Sequence, residues 1–350
     1  MLENRHFGMD AEIQRPGKAN FGVLHCPNEA LIQPSSYRPW PGYRHPCRYD
    51  DIFGVVGFVY GDESLNLGTS QLMTMNDKTI LITGCSSGIG LCCAEGLKAR
   101  GYRVFATARK PEDVEKLTQK GLEAFRLDIA DSASIVETVE AVLAATGGKL
   151  YGLFNNAGFG QPGAVEDLRR EVIREQFETN VFGTLELTNR IMPVMRKQGE
   201  GRIIINSSIL GFAALPYRGA YNASKYALEG LADTFRLELI GSNIFVSLVE
   251  PGPIRSRFRD NAYALYLKNI DPSTSAHREQ YQDLEARLLK QGPATPFTQG
   301  PEEVLKRVIH ALEAKRPQAR YYVTFPTYLF GYLKRLLPTR WLDEFLRRVE

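Results

Sequence analysis

No apolar run in this chain reaches the roughly 20 residues that a bilayer-spanning helix needs, so no helical span is expected. Cysteine is scarce. Cys26, Cys47, Cys85, Cys92 and Cys93 are odd in number and lack the paired spacing of a metal site. They read as free thiols of a reducing, cytoplasmic compartment, with no metal. Charge of one sign is also missing: 43 Lys and Arg face 40 Asp and Glu. A net charge of +3 is too small to argue for a nucleic-acid partner. Histidine numbers only five, and the two beyond the N-terminal stretch, His277 and His310, stand late, away from the serines at strand ends. That argues against a serine-hydrolase triad.

What is present is an ordinary globular composition, 43% hydrophobic and 24% charged, in a chain of 350 residues. Residues 1–74 differ from the rest. Pro16, Pro27, Pro34, Pro39, Pro41 and Pro46 interrupt them, and neither strand nor helix periodicity lasts. They read as an irregular, disordered extension, or as sequence upstream of a true start near Met75. From Lys78 the pattern changes. Thr79–Ile82 is a short β-branched run leading into Thr83-Gly84-Cys85-Ser86-Ser87-Gly88-Ile89-Gly90, and a helical pattern follows to Gly101. Strand, glycine-rich turn and helix place a helix N-terminus against a pyrophosphate. A second strand, Arg103–Ala108, ends in Arg109-Lys110 where NAD-preferring units carry an acid. The fork of donors on Arg109 suits a 2′-phosphate, so NADP(H) is expected over NAD(H).

Strands and helices then alternate. Ala124–Leu127 ends at Asp128, Leu153-Phe154 runs into Asn155-Asn156-Ala157-Gly158, and Arg202–Asn206 precedes Ser207-Ser208. Phe245–Val249 leads to Glu250-Pro251-Gly252-Pro253-Ile254, and Tyr321–Thr324 makes a seventh strand. This alternation predicts an α/β fold: one Rossmann-type, doubly wound parallel sheet with helices on both faces and strand ends along one edge. One long helix is expected over 166–195, broken near Gly183 and carrying Asn180. A later helix carries Tyr221 and Lys225, one turn apart on one face. A lysine ammonium beside a phenol favours phenolate and lowers the phenol's pKa, which suits proton exchange.

In order, these motifs resemble the short-chain dehydrogenase/reductase family over roughly 78–323. The resemblance implies the following roles. Gly84, Ser86, Ser87, Gly88, Ile89 and Gly90 form the cofactor turn, and Asp128 contacts adenine. Asn156, Ala157 and Gly158 belong to the motif that steadies the sheet beside the cofactor. Asn180, Ser208, Tyr221 and Lys225 match the catalytic tetrad, with Tyr221 as acid/base, Lys225 on the nicotinamide ribose, Ser208 on the substrate oxygen and Asn180 holding a water. Pro251, Gly252 and Ile254 match the turn beside the nicotinamide, and Ser256 stands where threonine is common. The cofactor turn with Ala106–Arg109 looks most like NADP-using retinol and hydroxysteroid dehydrogenases and bacterial aldehyde reductases. This implies a lipophilic alcohol or carbonyl substrate. A 3-oxoacyl reductase of lipid synthesis and a catalytically silent dinucleotide sensor are the competing functions. A homodimer or homotetramer through the helices of Asn180 and Tyr221 is also implied.

The domain is expected over 75–325, with a substrate loop at 255–299 in which Phe258, Tyr263, Ala264, Tyr266 and Leu267 line a pocket or pack beneath it. Tyr281, Leu284, Leu288 and Leu289 are spaced as a helical lid. The tail, 326–350, interleaves aromatic and leucine residues with Lys and Arg, and Thr339 is placed to cap its last helix. Such a tail lies in a membrane interface, or packs on the domain or on a second subunit.

Overall fold

The computed structural model describes residues 78–293 and 295–348. The proposed extension 1–74, Met75, Cys26 and Cys47 lie outside them. Seven parallel strands make one sheet in the order β3-β2-β1-β4-β5-β6-β7. They are β1 (Thr79–Ile82), β2 (Arg103–Ala108), β3 (Glu123–Arg126), β4 (Gly152–Asn155), β5 (Gly201–Asn206), β6 (Ile244–Glu250) and β7 (Arg320–Tyr322). β1 and β4 are buried at every position because helices cover both faces of the sheet. One face carries α1 (Gly88–Ala99) and α9 (Glu302–Glu313), whose Ala94, Leu97, Val304 and Val308 pack against Ile80, Ile82 and Phe154. The other carries α3 (Ser132–Thr146), α5 (Gly183–Gln198) and α6 (Gly219–Glu238), with Val139, Ile191 and Leu228 against Leu81, Leu153 and Ile203. α2 (Pro111–Gln119) links β2 to β3.

The strand order turns outward in both directions from β1 and β4. Their C-terminal ends therefore open a crevice at the switch point, where a Rossmann-type sheet takes its ligand.

The long helix expected over 166–195 runs from Arg170 to Gln198, and the break expected near Gly183 is a π-helical turn just before it. A short 3₁₀ turn (Val165–Asp167) precedes α4 (Arg170–Phe177), a π-helical turn (Glu178–Phe182) carries Asn180, and α5 begins at Gly183. Close packing accounts for the glycine there: a Cβ on Gly183 would lie 1.7 Å from the Ile129 carbonyl oxygen. The seventh strand is also shifted from the expected Tyr321–Thr324, because Arg320 pairs with Leu248 and Thr324 caps the next helix.

α7 (Phe258–Asn269) and α8 (Arg278–Leu289) build a satellite core of their own, in which Tyr266, Tyr281, Leu284 and Leu288 pack on Ala164, Leu168 and Val172. The lid spacing is realised in α8, except that Leu289 faces solvent. The tail folds as α10 (Phe325–Leu336) and α11 (Thr339–Arg347). Thr339 opens α11 as its first residue, and Pro338, not Thr339, occupies the cap. Gly183→Ala should push α5 off the loop after β3 and destabilise the domain by roughly 1–3 kcal/mol. Thermal unfolding of the variant would measure this, and an unchanged midpoint would contradict the packing argument.

Candidate active site

At the end of β1 the chain bends through Gly84, held at φ +72°, and enters α1 by way of Gly88 at φ +58°. A Cβ on Gly90 would sit 2.2 Å from the Gly84 carbonyl oxygen, so the turn closes only around glycine. The first turn of α1 has no acidic residue, and its N-cap Ser87 makes no side-chain cap bond. Ser86, Ser87, Gly88 and Ile89 thus surround a helix N-terminus whose N–H groups favour an anion. Ser256 stands across from it, with a Cβ built on Gly88 3.0 Å from its own. Arg109 is exposed just beyond β2. Asp128 is partly exposed beyond β3, and its carboxylate accepts from the Ala130 N–H at 3.1 Å. These residues fit a dinucleotide with a pyrophosphate at α1 and an adenosine end toward Arg109 and Asp128.

Hydrogen bonds carry this turn across the sheet edge. Thr83 Oγ1 accepts from the N–H groups of Asn156 and Ala157 at 2.9 and 2.8 Å. Asn156 Nδ2 donates to the Thr83 and Gly84 carbonyls at 2.9 and 3.1 Å, and its Oδ1 accepts from Asn206 Nδ2 at 3.0 Å. The Asn206 carbonyl accepts from Lys225 Nζ at 2.7 Å. Gly158 faces the amide of Asn180 and the Lys225 ammonium, 3.1 and 3.9 Å from a Cβ built on it.

Tyr221 and Lys225 lie one turn apart on α6, with Nζ 5.6 Å from the phenol ring centre. Ser208 stands two residues beyond the end of β5 and hydrogen-bonds the phenol. Its Oγ accepts from the Leu210 N–H at 3.1 Å. Asn180 is buried, with Nδ2 donating to the Phe159 carbonyl and to Ser224 Oγ, both at 3.0 Å, and Oδ1 accepting from the Phe159 N–H at 3.1 Å. Beyond β6, Pro251, Gly252 and Ile254 curve past the same crevice. A Cβ on Gly252 would meet Thr324 Oγ1 at 2.1 Å.

Of the expected pocket residues, Phe258 alone reaches the phenol, edge-on with ring centres 5.3 Å apart. Tyr266 is buried in the satellite core, Tyr263 binds Glu285 at 2.9 Å, and Ala264 and Leu267 are exposed. The reason is helical geometry: α7 turns those side chains away from α6.

A family model described as short chain dehydrogenase matches residues 78–265. The chain belongs to the short chain dehydrogenase family. It is 44% identical over 270 residues to an uncharacterized oxidoreductase of Escherichia coli K12, YbbO, covering 77% of this chain and 94% of that one. Human retinol dehydrogenase 8 is 31% identical over 263 residues, covering 71% of this chain and 82% of the relative. A short chain dehydrogenase/reductase from Burkholderia phymatum, solved in complex with NAD, superposes with a TM-score of 0.63 at 25% identity, covering 79% of this chain and 97% of that one.

In this short chain dehydrogenase the electrostatics depart from the sequence expectation. Burial pushes the Tyr221 hydroxyl up to about 12, and the Ser208 hydrogen bond only partly offsets it. Burial also lowers Lys225 to about 8, against the opposing pull of the Glu229 carboxylate one turn on. The ammonium is spent on the Asn206 carbonyl, so desolvation, not lysine charge, dominates the phenol here.

Sequence reasoning passed over the acidic cluster behind these residues. Glu229 is one turn beyond Lys225, and Glu250 immediately precedes Pro251. Arg320 Nη2 binds Glu229 at 3.0 Å and Asp233 at 2.8 Å. Its Nε stands 3.2 Å from Glu250 Oε1 without hydrogen-bond alignment, and neither Glu250 oxygen has a hydrogen-bond partner. Glu250 is fully buried, and that burial, with the negative charge of Glu229, pushes its carboxyl up to about 9 against the pull of Arg320. The i+4 spacing of Glu229 from Lys225 was the available signal.

The folded chain therefore holds the Glu250 proton to about pH 9, where an ordinary glutamate releases it near 4.5. The stability it contributes is whole below about pH 4.5 and is lost as pH rises towards 9. Lys225 works the other way, its cost being relieved between about pH 8 and 10.5. Glu250→Gln keeps the neutral shape. Its thermal midpoint should pull ahead of wild type as pH rises from about 5 to 9, by roughly several °C. A difference that stays flat with pH would mean that Glu250 is ionised in the fold.

Proposed function

We propose that this short chain dehydrogenase is an NADP(H)-dependent oxidoreductase interconverting a lipophilic alcohol and its aldehyde or ketone. The observation that carries this reading is the convergence of Ser208, Tyr221 and Lys225 on the crevice that the glycine turn and the N-terminus of α1 also face. Bound reduced nicotinamide supplies the hydride. Ser208 donates to the substrate oxygen and orients it. Tyr221 delivers the proton to that oxygen as the carbonyl becomes an alcohol, and in oxidation takes it back. Its high pKa keeps the phenol protonated at neutral pH, which suits the reductive direction. Lys225 fixes the ribose end of the cofactor and holds positive charge near the phenol. Asn180 carries the water that reconnects Lys225 with solvent through its main-chain carbonyl, since its amide is committed to Phe159 and Ser224. Pro251, Gly252, Ile254 and Ser256 would hold the nicotinamide end of the cofactor.

NADP(H) preference rests on Arg109 at the end of β2 and on the absence of an acid there. The lipophilic substrate class rests on apolar Ile209, Leu210 and Phe258 around Tyr221, and on the likeness to a retinol dehydrogenase. The same reading takes 75–325 as the catalytic domain, acting in the cytoplasm as a homodimer or homotetramer, with a peripheral lipid contact through the tail.

Purified Tyr221→Phe should lose about 10²–10⁴-fold in turnover with NADPH and an apolar aldehyde. Wild-type turnover in that variant would end the proposal. Arg109→Asp should raise the KM for NADPH by roughly tenfold or more, with little change for NADH. An unchanged ratio of the two would remove Arg109 from the cofactor site.

A further inference from the structure

Helix α10 is apolar on two sides. Its inner side is satisfied: Thr327, Phe330 and Gly331 are buried, and Phe330 and Leu333 pack with Leu342, Phe345 and Leu346 of α11 on Ile209, Leu210 and Ala213. Its outer side carries a second apolar stripe, which the described residues cover only in part, through Tyr322 beside Tyr328 and Phe297 beside Phe325. Phe325, Tyr328, Tyr332 and Leu336 follow one another at helical spacing on that side, with Tyr332 60% and Leu336 76% exposed. Phe297 extends the stripe, its ring 5.1 Å from that of Phe325, and Trp341 of α11 is 68% exposed. A helix with two apolar sides is stable when both are covered by protein or lipid, and among the described residues protein packs fully over one of them.

Charge decides between a lipid surface and a second copy of the chain. Residues 325–348 carry five cations, Lys334, Arg335, Arg340, Arg347 and Arg348, against two carboxylates, Asp343 and Glu344. Arg347 and Arg348 share Glu344 and Lys334 donates to the Phe212 carbonyl, yet the net charge of these residues stays positive, and two facing copies would set like charge against like. Tyr, Trp and Phe interleaved with Arg are instead the composition that sits at the headgroup level of an anionic bilayer.

We infer that the outer face of α10 and the start of α11 dock on an anionic membrane, and that the site takes its lipophilic substrate from that membrane. The second clause rests on the function proposed above. The tail is tied directly to the site. Lys334 Nζ donates to the Phe212 carbonyl at 2.6 Å and stands 4.8 Å from the centre of the Tyr226 ring, next to Lys225. Thr324, at the start of α10, closes on Gly252 of the turn beyond β6. The helix pair that meets lipid thus also walls the crevice of Tyr221.

The experiment uses the full chain with sedimented vesicles of phosphatidylcholine, alone or mixed with phosphatidylglycerol, in low and high salt. Wild type should sediment with the mixed vesicles and be released by salt, with weaker recovery on phosphatidylcholine alone. Tyr332→Ser combined with Leu336→Ser and Trp341→Ser should weaken binding by about tenfold or more. The circular dichroism and the turnover of a water-soluble aldehyde should stay unchanged. Wild type left in the supernatant would overturn the docking surface, as would a lipid-free dimer that the triple variant abolishes. Binding is read without turnover, so an inactive but vesicle-bound protein would refute the enzymatic reading alone. Equal rates for a bilayer-dissolved aldehyde in wild type and triple variant would overturn the delivery of substrate from the membrane.

Discussion

A line of hydrogen bonds along the C-terminal edge of the sheet holds everything else in register. It runs from Thr83 and Gly84 at the glycine turn through Asn156 beyond β4 and Asn206 at the end of β5 to the ammonium of Lys225. Each link joins groups far apart in the chain, and each exists only because parallel strands end side by side. The consequence is mechanical. The turn that would grip a dinucleotide and the lysine that would touch its ribose cannot shift independently. Glycine at 84 and 90 is the condition for this closeness, since a single Cβ would part the turn from its neighbours.

Burial at that edge sets the protonation chemistry. Tyr221 and Lys225 are both driven towards their neutral forms, the phenol up and the amine down. Of the acids behind them, Glu229 opposes this by sustaining the charge on Lys225, while Glu250, one residue short of the Pro251 turn, is itself driven neutral. Arg320, from the edge strand β7, draws Glu229 and Asp233 together and so ties the outermost strand to the helix of the candidate catalytic residues. The tail adds a second tie, since Lys334 holds the segment that follows Ser208. The candidate site is therefore assembled from the glycine turn at one end and the last two helices at the other.

Much of this was legible in the sequence. Glycines at 84, 88 and 90 after a β-branched run point to a phosphate-binding turn only in company with the motifs that follow them in order. The four-residue step from Tyr221 to Lys225 fixes a shared helix face whatever surrounds it. The departures come from packing that no local pattern records. The break expected near Gly183 takes the form of a π-helical turn at 178–182, a shape that spacing alone does not name, and Gly183 itself lies against the Ile129 carbonyl. The aromatic residues of α7 looked alike as pocket candidates, yet the helix phase sends Phe258 to the phenol and Tyr266 into a separate core. Glu250 reads as an ordinary strand-end acid until the sheet, α6 and β7 enclose it.

By itself the sequence determined the alternation of strands and helices, the conformational freedom of the glycine turn and the helix face that Tyr221 and Lys225 share. Those are properties of spacing and of residue type, which need no distant partner. Only the tertiary structure decided how strongly each group holds its proton, which aromatic ring meets Tyr221, and which side of the tail is left outside. Desolvation and burial depend on everything that surrounds a side chain, and what surrounds it comes from other parts of the chain.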